Sequence, residues 1–338
     1  MEQARKVLRN KYLQYIIVGF LFLLPIIIPG VSTAVITIIG GIVYMSIAGI
    51  GYNVLLGYSG QISLGHAAFM GLSAYFSAYL TQQMGLPFLA SFAISVLAPF
   101  LVGLLLGAIA VRLQGFYLAI ATLGFGEILR LVFIELDWFT GGFSGAKAKY
   151  PTIFGHTFTK NETYIGMVVI MVILMVLVYN MVNSHTGRAL IAMKSSQHGA
   201  QAMGVSIFKY KLIAFSVSAL FAGISGVCYV HFFRYSDPTL WISVLSLNIV
   251  AQCVIGGNGT IGGPIIGAII IRGLPELLKS TPIIGDIAGI PVLFSGILMI
   301  IILMFYSKGL IHIPGSIRAF IQKRRSKAAP EKGVQADG

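Results

Sequence analysis

Long apolar runs, separated by short polar or glycine-rich segments, make up most of the chain. Between Lys11 and Arg112 there is no Lys, Arg, Asp or Glu. Because a membrane-spanning helix needs about 20 apolar residues, this interval alone accommodates about four spans. Over the whole chain the pattern predicts ten spans, with eight or nine as the alternative counts; the ten are 12–29, 34–56, 64–81, 87–110, 115–136, 163–182, 211–232, 240–257, 260–279 and 288–306.

Glycine-rich breaks interrupt this pattern at 57–63 and 256–264. Irregular backbone at membrane depth is tolerated only where protein or a water-filled cavity surrounds it. The breaks therefore predict re-entrant or half-helix segments. We expect an all-α polytopic membrane protein of about 8–10 transmembrane helices, with a probable internal pseudo-repeat.

Composition supports the membrane assignment. Of the 338 residues, 57% are hydrophobic and only 10% are charged, and the mean hydropathy of +0.89 lies outside the range of soluble domains. The first apolar run follows basic residues, as in a signal peptide, but no small-residue cleavage pattern follows it. We expect a retained first helix, and we interpret Cys228 and Cys253 as buried apolar residues that form no disulfide or metal site.

The basic residues predict the orientation. With the N-terminus in the cytoplasm, most of the 23 lysines and arginines fall on the cytoplasmic side, as the positive-inside rule requires. The net charge of +13 is explained by this orientation and by contact of the basic tail with anionic lipid, so no nucleic acid is expected as a partner.

The predicted layout follows from these spans. It comprises a basic cytoplasmic tail (1–11), a transmembrane domain (12–307) and a second basic cytoplasmic tail (308–338). The domain carries an outer loop at about 137–162, rich in glycine and aromatic residues, and a cytoplasmic inner loop at about 183–210. In the inner loop, helix-forming residues predict a short helix that is capped near Thr186 and closed by Gly204.

The two glycine-rich breaks share a pattern. Residues 57–62 read GYSGQI and residues 256–261 read GGNGTI, and both fit G-x-x-G-x-I. Glycine-interrupted segments in corresponding places of two halves are typical of a central translocation path. The alternative is that these glycines only form close helix-packing faces.

Polar residues near the breaks are candidates for the path, because lipid cannot satisfy their hydrogen bonds. For Asn53 the alternative is an interhelical hydrogen bond, and for His66 it is a satisfied interior histidine, in place of a substrate contact or proton relay. The path candidates are Asn53, Ser59, Gly60, Gln61, Ser63, His66, Gly256 and Gly257.

Glu127 and Arg130 lie three residues apart within an apolar run, where charges are costly unless they are paired or functional. This spacing places both on one helix face. We predict an intramembrane ion pair that faces the helix bundle. A role in gating or at a partner interface is the alternative.

Three separated blocks carry a family resemblance. They are GYSGQISLGHAAFMGLSAY, the run from GRALIAMKSSQHGAQAMGV to GISGVCY, and VIGGNGTIGGPIIGA. Together they resemble the inner-membrane permease subunits of bacterial branched-chain amino-acid ABC importers, the LivM type, from about residue 40 to 307. The same family includes permeases for urea and short amides.

This resemblance implies a non-enzymatic permease that works with a homologous second permease, two cytoplasmic ATPase subunits and an extracytoplasmic substrate-binding protein. The chain is expected to hold no cofactor or metal, and GNGTIGGP lacks the Lys and Ser/Thr of a phosphate loop. The inner loop would dock the ATPase, and Gln197 and His198 stand where many relatives carry acidic residues. A solvated loop is the alternative. The docking residues are expected to be Arg188, Lys194, Gln197, His198, Ala200 and Gly204.

Two other classes of function remain open at this point. A self-sufficient secondary transporter or channel would also have an internal repeat and an intramembrane ion pair. A membrane-embedded enzyme is disfavoured, because the chain has no paired-aspartate motif and no histidine followed by an aspartate five residues later.

Overall fold

The computed structural model describes most of the predicted transmembrane domain. The tenth predicted span, apart from isolated positions, and nearly all of both predicted tails lie outside the described residues. Those residues are 11–28, 30–110, 113, 115–279, 293, 296–297, 300, 304 and 309–312.

The described segments are almost entirely helical. The α-helices are α1 (Lys11–Ile27), α2 (Thr33–Asn53), α3 (His66–Gln82), α4 (Phe88–Ala110), α5 (Phe116–Glu135), α6 (Asp137–Thr140), α7 (Lys160–Asn183), α8 (His185–Ser195), α9 (Gln197–Ala202), α10 (Ile207–Phe233), α11 (Ser243–Gly257), α12 (Gly263–Ala268) and α13 (Leu274–Lys279).

Each of the first nine predicted spans corresponds to a helix or an interrupted helix. The chain is an all-α polytopic membrane protein, and five of the described helices (α2, α4, α5, α7 and α10) are long and apolar enough to cross a membrane. The ninth span, expected as one segment, is instead divided into α12, a π-helical turn at Ile269–Gly273 and α13.

Helices α2 and α10 form the centre of the bundle, and the long helices around them expose one side. In the central stretches of α2 and α10, 72% and 78% of the residues are buried, against 22% in α5. Helix α10 packs against α2, α3 and α4. Small residues allow this close approach, because a Cβ at Gly226 would lie 2.0 Å from the Met70 carbonyl oxygen of α3.

The outer loop between α5 and α7 contains three of the four short strands of the described chain. Strand β1 (Ala146–Lys147) pairs antiparallel with β4 (Tyr235–Ser236), which follows α10, and β2 (Thr152–Ile153) forms a hairpin with β3 (His156–Thr157). Because α7 runs from this loop to the inner loop, the two loops lie at opposite ends of a 24-residue helix.

Candidate functional site

The two glycine-rich breaks contact each other in the structure. We call residues 57–65 the first break and residues 256–262 the second break. Asn53, the last residue of α2, binds the second break through both ends of its side-chain amide. Its Nδ2 donates to the Thr260 carbonyl at 2.7 Å, and its Oδ1 accepts from the Gly259 amide at 2.9 Å. The sequence echo thus corresponds to a physical contact between two segments far apart in the chain.

The first break forms because α2 does not end as a regular helix. A π-helical turn at Val54–Tyr58 follows α2, and Gly60 then takes a φ of +73°, which L side chains rarely adopt. Position 57 needs a glycine for a steric reason, since a Cβ there would lie 2.7 Å from the Gly259 amide nitrogen. Gly57 and Gly259 therefore approach backbone to backbone.

The hydroxyl and amide groups of the first break bind nearby groups of this chain. Ser59 donates to the Leu55 carbonyl at 2.6 Å, and Gln61 donates through Nε2 to the Ser59 hydroxyl at 2.9 Å. Ser63 is fully buried and its backbone amide donates to the Tyr52 hydroxyl at 3.2 Å. These three side chains are buried, whereas Gly60 is exposed.

His66 begins α3 and is fully buried. Its Nε2 lies 2.6 Å from the Ser218 hydroxyl of α10, and its ring packs edge-on against Tyr52 and Phe69. Its Nδ1 is also buried and has no hydrogen-bond partner in the described structure. His66 thus links α2, α3 and α10 in the interior, and its role in a path stays a prediction.

The glycines of the second break are required by packing. A Cβ at Gly256 would lie 1.8 Å from the Gly263 carbonyl oxygen, and Gly257 has a φ of +131°. Thr260 closes the turn, with its hydroxyl donating to the Gly257 carbonyl at 2.7 Å and accepting from the Gly263 amide at 3.2 Å. Thr260 is not among the eight path candidates, although its position within a run of glycines is a usable signal.

The inner loop folds as two short helices instead of the single one predicted. Ser184 caps α8 and Ser196 caps α9, each accepting a backbone amide through its hydroxyl. Ser196 lies in extended backbone, which separates the two helices. Gly204 has a φ of +80° just beyond α9, as expected of a closing glycine.

The predicted docking residues do not share one surface. Arg188, His198 and Gly204 are exposed, and Gln197 is half-buried, whereas Ala200 is only 5% exposed. Ala200 therefore packs inside the chain. The docking role itself stays a prediction.

Two large apolar side chains of the inner loop are exposed among these polar residues. Ile191 of α8 is 45% exposed and Met203, after α9, is 85% exposed.

Lys194 connects the inner loop to the first break. Its ammonium donates to the Gly57 carbonyl at 2.6 Å, and its Cγ would lie 3.1 Å from a Cβ at Gly60. A lysine charge is favourable at the carbonyl end of a helix, where the helix dipole is negative. The ammonium expected to be available to a partner is thus engaged within the chain, and α8 is tied to the end of α2.

Glu127 and Arg130 form the predicted ion pair, with Arg130 Nε donating to Glu127 Oε1 at 2.9 Å. Within the described chain the pair is partly exposed, because the Glu127 side chain is 43% exposed and that of Arg130 is 22% exposed. The neighbouring Ile128 is more exposed, at 61%. The expected orientation toward the bundle and the role of the pair both stay predictions.

Removing only one member of this pair is expected to lower the amount of membrane-inserted protein more than removing both members does. Glu127→Leu leaves the Arg130 charge unpaired on a membrane helix, which costs about 2.5–3.5 kcal/mol on insertion scales. We expect a severalfold loss of membrane-inserted protein. Glu127→Leu combined with Arg130→Leu is expected to restore the wild-type amount, as measured by quantifying the extracted membrane fraction.

The neighbouring change Ile128→Leu, at a side chain that is 61% exposed, is the matched control and is expected to be neutral. A double variant that accumulates less than Glu127→Leu alone would contradict the pairing argument.

Comparison with known proteins gives one family. Residues 34–304 match the model of the branched-chain amino acid transport system permease component. The chain is 29% identical to the high-affinity branched-chain amino acid transport system permease protein LivM of Escherichia coli, over 290 residues that cover 78% of this chain and 67% of that protein.

More distant relatives are import permeases for other compounds. The autoinducer 2 import permease LsrC of Photorhabdus laumondii is 26% identical, over 55% of this chain and 57% of that protein. The ribose import permease RbsC of Haemophilus influenzae is 24% identical, over 53% of this chain and 58% of that protein. No solved structure gives a significant match.

Proposed function

Because the chain belongs to the family of branched-chain amino acid transport system permease components, we propose that it is the permease subunit of an ABC importer for branched-chain amino acids. It would form the translocation path with a homologous second permease. Two separate cytoplasmic ATPase subunits would drive it, and an extracytoplasmic binding protein would deliver the cargo. The observation that carries this proposal is the family match over residues 34–304.

The inner loop supports the proposed ATPase contact. It presents exposed Arg188 and His198 together with the apolar side chains of Ile191 and Met203, which is a surface suited to a protein partner. This end of the bundle would be cytoplasmic, so both termini would also be cytoplasmic, as the basic residues of the sequence predict.

The two breaks support a role in transport. Asn53, at the end of α2, binds the second break at the inner-loop end of the bundle, and Lys194 joins the first break to α8. A movement of α8 would thus reach both breaks through two hydrogen-bonded residues. We propose that the eight path candidates act by moving together with α8 and the two breaks, because most of their side chains are buried within the chain.

Uptake of radiolabelled leucine into reconstituted vesicles tests the function. We expect uptake only when this chain is combined with its second permease, ATPase and binding protein, and only with ATP. Urea, acetamide and ribose in parallel distinguish the amino-acid cargo from an amide or sugar cargo. Uptake by this chain alone under an ion gradient would instead indicate a secondary transporter.

A further inference from the structure

The outer loop is a built surface that is held to the helix ends by hydrogen bonds. His231, near the end of α10, binds the Lys149 carbonyl through Nδ1 at 2.7 Å, and the Ala148 amide donates to the Arg234 carbonyl at 3.0 Å. The Arg234 guanidinium lies over the Tyr150 ring, 4.9 Å from its centroid. These contacts fix the loop before any partner arrives.

The hairpin of β2 and β3 presents an aromatic side chain under strain. Its two-residue turn is Phe154-Gly155, with φ values of +50° and +81°, so both residues lie in the left-handed region. Such turns favour Asn-Gly, and a bulky residue at positive φ is an outlier. Phe154 is also 98% exposed, so among the residues that the structure describes no contact compensates for the strained backbone.

Strain of this kind persists where the side chain serves a function. Phenylalanine has no hydrogen-bonding group, so its use is apolar contact. Since the contact is not made within the chain, the ring is available to a molecule that approaches this end of the bundle.

Two recesses open on the outer loop, and Lys149 lines both of them. One of about 620 Å³ is lined by the hairpin tip, by Lys149 and by residues of the loop between α3 and α4. The other, of about 650 Å³, is lined by the cations Lys147, Lys149 and Arg234 against the single carboxylate of Asp137. Recesses with charged walls suit protruding side chains of a folded protein better than acyl chains, and the excess of cations suits carboxylates.

We propose that the hairpin 152–157 and the two recesses that share Lys149 form the docking surface for the extracytoplasmic substrate-binding protein, with Phe154 as the apolar anchor and carboxylates of the partner in the basic recess. This inference rests on the proposed function, which places the inner loop in the cytoplasm and the outer loop, at the other end of α7, outside. An exposed aromatic ring within a polar surface is typical of an energetically dominant contact.

The variant Phe154→Asn tests this docking surface without endangering the fold. Asparagine is favoured at this turn position, so the hairpin is retained and the thermal unfolding temperature is expected to be unchanged or higher. Leucine uptake is measured against increasing concentrations of the binding protein that supports wild-type uptake. We expect its half-saturating concentration to rise about tenfold or more, with maximal uptake and basal ATP hydrolysis unchanged.

Phe143→Asn is the matched control, because Phe143 is 78% exposed in the same loop but lies outside the hairpin. It is expected to leave the half-saturating concentration unchanged. If Phe154→Asn also leaves it unchanged while wild-type uptake depends on the binding protein, the docking surface is wrong and the proposed function stands. If wild-type uptake needs no binding protein, the proposed function fails and the docking surface with it.

Lipid insertion is the competing explanation for the exposed ring. Phe154→Trp is compared with the wild-type protein in vesicles that contain brominated phospholipid, because Trp138 and Trp241 also fluoresce. Under the docking proposal the fluorescence that the added tryptophan contributes is not quenched by the lipid. Strong quenching without binding protein would overturn the proposal in favour of a membrane anchor.

Discussion

Replacing Lys194 with methionine is expected to lower ATP-driven uptake about tenfold or more, while the associated ATPase keeps hydrolysing ATP. Methionine keeps the apolar stem of lysine but cannot donate to the Gly57 carbonyl, which the ammonium reaches at 2.6 Å. A hydrogen bond to a charged group contributes about 1.5–3 kcal/mol, which corresponds to a factor of ten or more. ATP hydrolysis would continue because the nucleotide sites lie in other subunits of the proposed importer.

The reason for uncoupling lies in the position of this contact. Gly57 touches Gly259 of the second break, and Asn53 binds Gly259 and Thr260 at the same place. In Lys194→Met the ammonium is absent, so we expect a movement of α8 to leave the two breaks in place. The measurement is the ratio of leucine taken up to ATP hydrolysed in vesicles that contain the complete importer.

Two controls accompany this measurement. Lys194→Arg retains a cation and is expected to restore most of the uptake. Lys209→Met removes an exposed lysine at the start of α10, on the same side of the bundle, and is expected to be neutral. An unchanged ratio of uptake to hydrolysis in Lys194→Met would show that the contact has no part in coupling.

Replacing Gly256 with leucine is expected to remove most of the folded protein. A Cβ at this position would lie 1.8 Å from the Gly263 carbonyl oxygen and 2.9 Å from the Gly267 amide nitrogen. Both atoms belong to backbone, so no side-chain rotation relieves the overlap, and α11 and α12 must separate. Overpacking typically costs about 1–3 kcal/mol and more where backbone is displaced, a large part of the total stability of a protein.

The measurement is the amount of monodisperse protein after detergent extraction, together with its thermal unfolding temperature. Gly124→Leu is the matched control, because no atom lies within 4 Å of its Cβ position on α5, and it is expected to be folded. If Gly256→Leu accumulates as wild type but abolishes uptake, the glycine serves the path and not the packing of α11 on α12.

Much of the architecture was predictable from the sequence. The length of an apolar run sets whether it can cross a membrane, and the structure has helices at each of the first nine predicted spans. Helix starts were also encoded locally. At Thr159 and Glu162 the sequence carries a complete capping box that begins α7, and Ser184 and Ser196 cap the two inner helices.

The orientation of side chains was not predictable in the same way. The sequence predicts that Glu127 and Arg130 face the bundle, and the structure leaves their side chains 43% and 22% exposed. The membrane helices are apolar on nearly all sides, so their sequences contain no polar stripe that marks the outer face. The spacing of the two residues predicts that they pair, but the direction in which their side chains point depends on which helices pack against α5.

The sequence by itself determined a polytopic helical membrane protein, the family resemblance, and two related glycine-rich breaks. Only the tertiary structure decided that Asn53 ties the end of α2 to the second break and that Lys194 ties the first break to the inner loop. Helix length and capping depend on residues within a few positions of one another, so the local sequence specifies them. The two hydrogen bonds of Asn53 join residues that are 207 and 206 positions apart, and the hydrogen bond of Lys194 joins residues that are 137 positions apart. The partner in each of these bonds is a backbone group. Backbone groups are alike along the chain, so the sequence does not show which of them will be bound until packing brings it within reach.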